Sequence, residues 1–141
     1  MTPRRARAQD LPLLLTLVAE FCALDQHPFD SDRVAFSLSP LLDNDEHGVV
    51  YIVEPDTGYL IVTWGYSLES GGREGLIDEI YLRRRGEGIG ASVMTWLFEE
   101  MRRRGIVRMF LETESHNDRA RHFYAQHDFE ADDSIWMSRT L

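Results

Sequence analysis

The sequence contains a single cysteine, Cys22, so no disulfide can form within the chain. That fits a reducing compartment, and a cytoplasmic location is expected. Cys22 falls among apolar helical residues and reads as a core thiol rather than a nucleophile. Long apolar runs are also missing. Leu13-Leu14-Leu15 and their neighbours fall far short of a bilayer span, and the basic residues 1–7 lack the apolar core of a signal peptide. Positive charge is scarce: 24 acids face 15 Lys plus Arg, a net charge of −9, which argues against a nucleic-acid partner. An acid-rich surface can draw in a cationic substrate, and an amine or polyamine suits that field. A surface that is acidic only for solubility fits equally well. His27, His116, His122 and His127 have no metal-ligand spacing, so no metal is expected. The sequence has no repeats, linker or low-complexity segment, and residues 1–141 suit one domain.

One stretch stands out: Arg83-Arg84-Arg85-Gly86-Glu87-Gly88-Ile89-Gly90-Ala91. It follows the apolar run 76–82, which reads as a buried strand. It precedes Val93, Trp96, Leu97, Glu100 and Met101, which recur at helical spacing. Strand, glycine-rich turn and helix in that order let the backbone approach a ligand closely. The first N–H groups of the helix have no internal partner, so the turn attracts phosphate, and a pyrophosphate fits best. There is no G-x-x-x-x-G-K-[ST], which excludes a P-loop. Gly86-x-Gly88-x-x-Ala91 also fits the dinucleotide fingerprint, with Glu112 near the ribose-binding distance. However, only one strand–helix–strand unit follows. A plain tight turn into a helix is the third reading.

The rest of the chain supplies the frame. Residues 4–8 form a candidate first strand, and Asp10 and Pro12 open a helix from Leu11 to Leu24. A second helix is expected from Asp32 to Leu38 or beyond, ended or kinked at Ser39-Pro40. Residues 49–53 and 59–64 read as a hairpin, and residues 70–73 as a loop before the 76–82 strand. Arg102-Arg103-Arg104-Gly105 reads as a helix C-terminus with dipole-complementing cations. Residues 107–112 should form a strand parallel to 76–82 by the right-handed crossover rule. Asn117 is a natural N-cap for a last helix carrying Ala120, Phe123 and Tyr124 on one face.

With Arg85-Gly-Glu-Gly88-Ile-Gly90 and Asn117…Ala120…Phe123-Tyr124…Phe129 in view, the sequence resembles the GCN5-related N-acetyltransferase (GNAT) superfamily across essentially its whole length. The stretch 65–73, with Asp78-Glu79-Ile80-Tyr81 after it, is similar to a bacterial subgroup whose acceptors are mostly unassigned. The resemblance implies an α/β (α+β) single-domain fold: a mixed sheet of about six or seven strands, two central ones splayed, flanked by about four helices. It implies acetyl-CoA in the splay. The pantetheine would lie along the backbone of Ile80, Tyr81 and Leu82, and the pyrophosphate on the loop from Arg84 and Arg85 through Gly86, Glu87, Gly88, Ile89 and Gly90 to Ala91. Asn117, Ala120, Phe123 and Tyr124 would flank the cofactor. Two features depart from the family pattern. The strand-to-loop connection is about two residues shorter than usual, and Asp128 stands where the family usually has glycine.

The implied mechanism is direct transfer to an amine, with Tyr124 protonating the leaving sulfur. Adjacent positions on a strand face opposite sides, which gives Asp78 one face with Leu76, Ile80 and Leu82. Its offset from Leu82 is similar to the carboxylate position of several family members, so the resemblance makes Asp78 the first candidate base, with Glu79 as acceptor-binding group or alternative base. The backbone near Ile80 would stabilise the oxyanion. His27, Phe29, Tyr66, Glu69 and Arg73 are candidates for the acceptor site, on two loops expected to roof it. The expected function is N-acetylation of a small cationic or amino-acid-like amine. The alternatives are acetylation of protein lysines or N-termini, and a non-catalytic CoA-binding sensor or interaction module. Exposed edges after Ile135-Trp136-Met137 could support a homodimer.

Overall fold

The computed structural model describes residues 2–141. Its elements are β1 (Pro3–Arg5), a 3-10 turn (Ala8–Asp10), α1 (Leu11–Leu24), α2 (Ser31–Asp43), β2 (Gly48–Val53), β3 (Gly58–Ser67), β4 (Gly72–Leu82), α3 (Ile89–Arg103), β5 (Arg108–Leu111) and α4 (Asp118–Ala125). The five strands lie in the order β1-β2-β3-β4-β5, antiparallel except for the parallel β4–β5 pair. This is the mixed sheet expected, with the crossover through α3 placing β5 beside β4.

Each face of the sheet is covered by helices. On one face Tyr51, Leu60, Val62 and Ile77 pack against Val93, Met94, Leu97 and Met101 of α3. On the other, Val50, Ile52, Tyr59, Ile61 and Tyr81 pack against Leu14, Leu17 and Val18 of α1 and Leu38 and Leu42 of α2. A strand covered on both faces reads as an unbroken apolar run, and all six residues of β2 are buried.

The structure corrects several sequence expectations. Five strands form rather than about six or seven, and the shortfall lies after α4. Residues 130–141 are exposed and carry no strand. Their first part contains Asp132-Asp133, and Asp is a poor strand former. β1 is confined to Pro3–Arg5. Pro40 does not end α2, which runs on to Asp43 because Leu38 and Leu42 on either side of the proline are both buried. β4 starts at Gly72, since Arg73 and Glu74 pair with Tyr66 and Gly65 of a long β3. Asp10 does not cap α1 through its side chain. Its carboxylate instead accepts from two Arg4 nitrogens at 2.8 and 2.9 Å and from the Arg7 N–H at 2.7 Å, tying β1 to the start of the helix. Among the described residues no helix is long and apolar enough to cross a membrane.

Candidate active site

The site begins with an irregularity in β4. Opposite β3, Ile61 pairs with Glu79 and Val62 with Ile77, which leaves Asp78 as an extra residue in a β-bulge. The bulge resets the alternation of side chains. Ile77 packs on the α3 face with Ile80 and Leu82. Glu79 points to the other face, where the Tyr59 hydroxyl donates to it at 2.7 Å. The expected common face of Leu76, Ile80 and Leu82 breaks at the bulge, because Ile77 takes the α3 face with Ile80 and Leu82. Strict period-two alternation holds only in an unbroken ladder.

The same stretch of β4 has lost its outer neighbour. β5 pairs with β4 only from Glu74↔Arg108 to Ile77↔Leu111. From Asp78 to Leu82 the strand continues alone on that side, so a wedge opens between β4 and β5. An unpaired strand edge offers N–H and C=O groups to any extended ligand carrying amides.

At the far end of β4 the chain turns sharply. Gly86, Glu87 and Gly88 all have positive φ, at 87, 57 and 73°. In that left-handed region a Cβ is costly, which is why two of the three are glycine. Gly88 is the N-cap of α3, and among the described residues the N–H groups of Gly88, Gly90 and Ala91 donate to no backbone acceptor. Successive free N–H groups at a helix start form a cradle for an anion. Gly90 meets a second requirement: a Cβ there would lie 3.1 Å from Phe123 of α4, so glycine lets α4 dock closely on α3.

Arg83 is fixed elsewhere. It donates to Glu20 of α1 at 2.6 and 3.0 Å and to Asp56 at 3.0 Å, and its N–H bonds the Thr57 carbonyl at 2.7 Å. The Tyr81 hydroxyl joins Glu20 at 3.0 Å. This network, held mainly by the Arg83 bond, keeps the Glu20 carboxyl below the usual glutamate range. It anchors the last residues of β4 against α1, so the loop starts from a fixed point.

α4 closes the wedge. Asn117 accepts from the Ala120 N–H at 3.1 Å as the N-cap, as its position in the sequence implies. The rings of Phe123, Tyr124 and Phe129 make edge contacts with centroids 5.2 and 5.7 Å apart. Asp128 has φ 67°, so it adopts the left-handed geometry for which the family usually keeps glycine. Tyr124 packs into the α3-side core together with Ile80 and Leu82. Its hydroxyl has no hydrogen-bond partner among the described residues, and burial pushes its pKa up, so it stays protonated at neutral pH.

Comparison with known proteins agrees with this geometry. The model of the acetyltransferase (GNAT) family matches residues 15–129. The chain belongs to the GNAT acetyltransferase family. An integron cassette protein from the mobile metagenome of Cole Harbour Salt Marsh superposes with a TM-score of 0.86 at 24% identity, over 99% of this chain and 90% of that one. A putative acetyltransferase from Arthrobacter sp. FB24 gives 0.84 at 25% identity, over 99% and 95%. An aminoglycoside acetyltransferase from an uncultured soil metagenomic sample, in complex with sisomicin, gives 0.77 at 18%, over 99% and 95%. No curated protein matches the sequence.

The residues of this acyltransferase fit the cofactor its family uses. A pyrophosphate matches the free N–H groups at the start of α3, and a pantetheine arm with two amides matches the bare edge of β4 beyond Ile77. Leu82, Gly90 and Phe123 converge beside that edge. Arg85 and Glu87 are exposed on the loop, while Ile89 is buried beneath it.

The two carboxylates of β4 differ in their surroundings. Burial raises the pKa of Glu79, and the neighbouring charges of Asp78 and Asp25 push it further; the Tyr59 hydrogen bond works the other way. Asp78 keeps an exposed side chain, yet the protein around its carboxyl still raises its pKa. It accepts no hydrogen bond and makes no ion pair among the described residues. The structure therefore brings Asp78, Glu79 and the α1–α2 loop into one electrostatic neighbourhood.

The acceptor-site candidates scatter. His27 lies 3.4 Å from Asp25 on that loop, and Phe29 is partly exposed further along it. Tyr66 is 73% exposed on the β3–β4 hairpin, and Glu69 is exposed at its tip. Arg73 is held away: its guanidinium lies over the Trp64 ring at 5.2 Å and donates to the Arg104 carbonyl at 3.4 Å. Tyr59 and Glu20 are the contributors that sequence reasoning missed. Both sit in regular elements as ordinary amphipathic positions, and only the fold gives them a charged partner.

Proposed function

We propose that this acyltransferase moves an acetyl group from acetyl-CoA directly to the primary amine of a small cationic or amino-acid-like acceptor. One observation carries the reading. Tyr124, whose protonated hydroxyl has no partner among the described residues, packs with Ile80 and Leu82 on the part of β4 that begins at Asp78, the first residue beyond the pairing with β5. Bound acetyl-CoA supplies an activated acyl thioester.

The chain's own groups then have distinct tasks. Asp78 accepts the proton that the acceptor's ammonium must lose, directly or through a water. Glu79, held by Tyr59, keeps a negative charge beside the incoming cation. A backbone N–H of β4 near Ile80, on its unpaired edge, meets the charge that develops on the thioester oxygen. Tyr124 gives its proton to the departing sulfur. The acidic surface, with a net charge of −9, favours a cationic acceptor. Sisomicin, found with the aminoglycoside acetyltransferase of the same fold, belongs to that chemical class.

The test is CoA release from acetyl-CoA with a polyamine, an aminoglycoside, free amino acids, a lysine peptide and a free peptide N-terminus. The chain contains no lysine, so its own side chains offer no competing primary amine. Faster release with one of the small amines than with either peptide is the expected result. Acceleration by a peptide alone would move the reading to a protein acetyltransferase, and no acceleration by any amine would favour a binding module.

A further inference from the structure

Arg83 stands at the entry to the loop that leads to the free N–H groups of α3, yet its charge is engaged elsewhere. Its Nε and one terminal nitrogen donate to the two oxygens of Glu20 at 3.0 and 2.6 Å, a two-pronged bond to the side of α1. The other terminal nitrogen donates to the Asp56 carboxylate at 3.0 Å and to the Asp56 carbonyl at 3.2 Å. Two carboxylates thus meet one guanidinium, so the group carries no surplus positive charge. The Tyr81 hydroxyl donates to the same Glu20 at 3.0 Å, which orients that carboxylate in turn. The backbone of Arg83 is pinned as well, by its N–H on the Thr57 carbonyl at 2.7 Å.

Beyond Arg83 the chain runs over the surface. Residues 83–88 are exposed, and Gly86, Glu87 and Gly88 hold positive φ in succession. The carbonyls of Gly86 and Gly88 accept only locally, from the N–H groups of Ile89 and Ser92. Ile89, 8% exposed, fixes the far end of the loop in the α3-side core. The loop is therefore held at both ends, by an apolar contact at Ile89 and an ionic one at Arg83. Glycine-rich backbone loses more freedom on ordering than other sequence does. A cradle that is ordered beforehand binds more tightly, because the ligand need not order it.

We infer that Arg83 and Glu20 are positioning residues for the pyrophosphate: they set the affinity for acetyl-CoA without touching it. Their bridge fixes where β4 ends, and hence where the N–H groups of Gly88, Gly90 and Ala91 point. A bidentate arginine–carboxylate pair suits this task, because its fork sets orientation as well as distance. The inference rests on the start of α3 being the pyrophosphate cradle of the proposed acetyltransferase.

Glu20→Gln separates positioning from direct contact, since the two roles for Arg83 predict opposite signs. An arginine that reached a phosphate would be released by this change, and CoA would bind more tightly. An arginine that positions the loop would lose its anchor, and CoA would bind more weakly. The measurement is calorimetric titration of CoA into the full chain: native, Glu20→Gln, Arg83→Gln and the double variant. Each single variant is expected to weaken binding by about tenfold, the scale of a charge-assisted hydrogen bond. The double variant should lose no more than either, since the two residues act as one unit. Both side chains reach solvent, at 30 and 34% exposure, so the fold should survive, and circular dichroism checks it. Hydrogen exchange of the ligand-free chain gives a second readout. The Ile89 and Ser92 amides should exchange faster in each variant, while the middle of α3 stays protected. In turnover the loss should fall on KM for acetyl-CoA rather than on kcat. Tighter CoA binding by Glu20→Gln, unchanged affinity in both single variants, or losses that add in the double variant would each overturn the inference. A native chain that fails to bind CoA would overturn the cofactor reading itself, and this inference with it.

Discussion

At Tyr124 the hydroxyl is the one polar atom of a ring packed between Phe123 and Phe129, and it supports no other part of the fold. Tyr124→Phe should therefore leave the melting temperature unchanged while kcat falls by about 10²-fold or more, the usual scale for losing a general acid. Steady-state rates and a melting curve on the same sample check this. An unchanged rate would remove Tyr124 from the chemistry. Glu79 behaves in the opposite way. Its folded pKa lies above its unfolded value because burial disfavours the charge. The native state therefore holds that proton more tightly. The resulting stability is complete below the ordinary glutamate pKa and is lost as pH rises through the higher folded value. Glu79→Gln removes the buried charge and keeps an acceptor for Tyr59. At neutral pH it should raise stability by about 1 kcal/mol, roughly 4 °C in a chain of this size, while weakening binding of a cationic acceptor. Denaturation at two pH values, together with KM, separates these effects. Asp78→Asn should instead abolish the rise of kcat/KM with pH through the raised pKa of Asp78.

At the scale of elements, the seating of α4 on α3 passes through one contact. A methyl group at Gly90 would press on Phe123, so Gly90→Ala should cost about 1–2 kcal/mol and weaken acetyl-CoA binding by tilting α4. Melting and calorimetric titration measure both, and full retention of affinity would mean α4 does not shape the cofactor cleft. These elements were largely legible in the sequence, because α1, α3 and the β2–β3 pair each carry a clear period and recognisable end signals. The glycine loop was legible for the same reason: Gly86 and Gly88 mark backbone that few other residues tolerate. The bulge at Asp78 was not. One extra residue leaves no trace in an apolar run, and it puts Glu79 on the face opposite Ile77. Nor was the destination of Arg83, which reads as part of a phosphate-binding cluster but is held by Glu20, over sixty positions earlier. The strand count was over-read: residues 130–141, which include the exposed Ile135, Trp136 and Met137, carry no strand.

Over the whole molecule, the net charge of −9 predicts that KM for a cationic acceptor rises with ionic strength, since screening weakens long-range attraction. An acceptor whose KM is indifferent to salt would point to a neutral amine. The central claim, however, is that the wedge in the sheet and the start of α3 together hold acetyl-CoA. Thermal unfolding with saturating acetyl-CoA, CoA and NADH in parallel tests it most directly. A ligand at about 100 times its dissociation constant adds about 2.7 kcal/mol, a shift of several degrees here. The account predicts that shift with acetyl-CoA and CoA and none with NADH; a melting temperature indifferent to acetyl-CoA would contradict it.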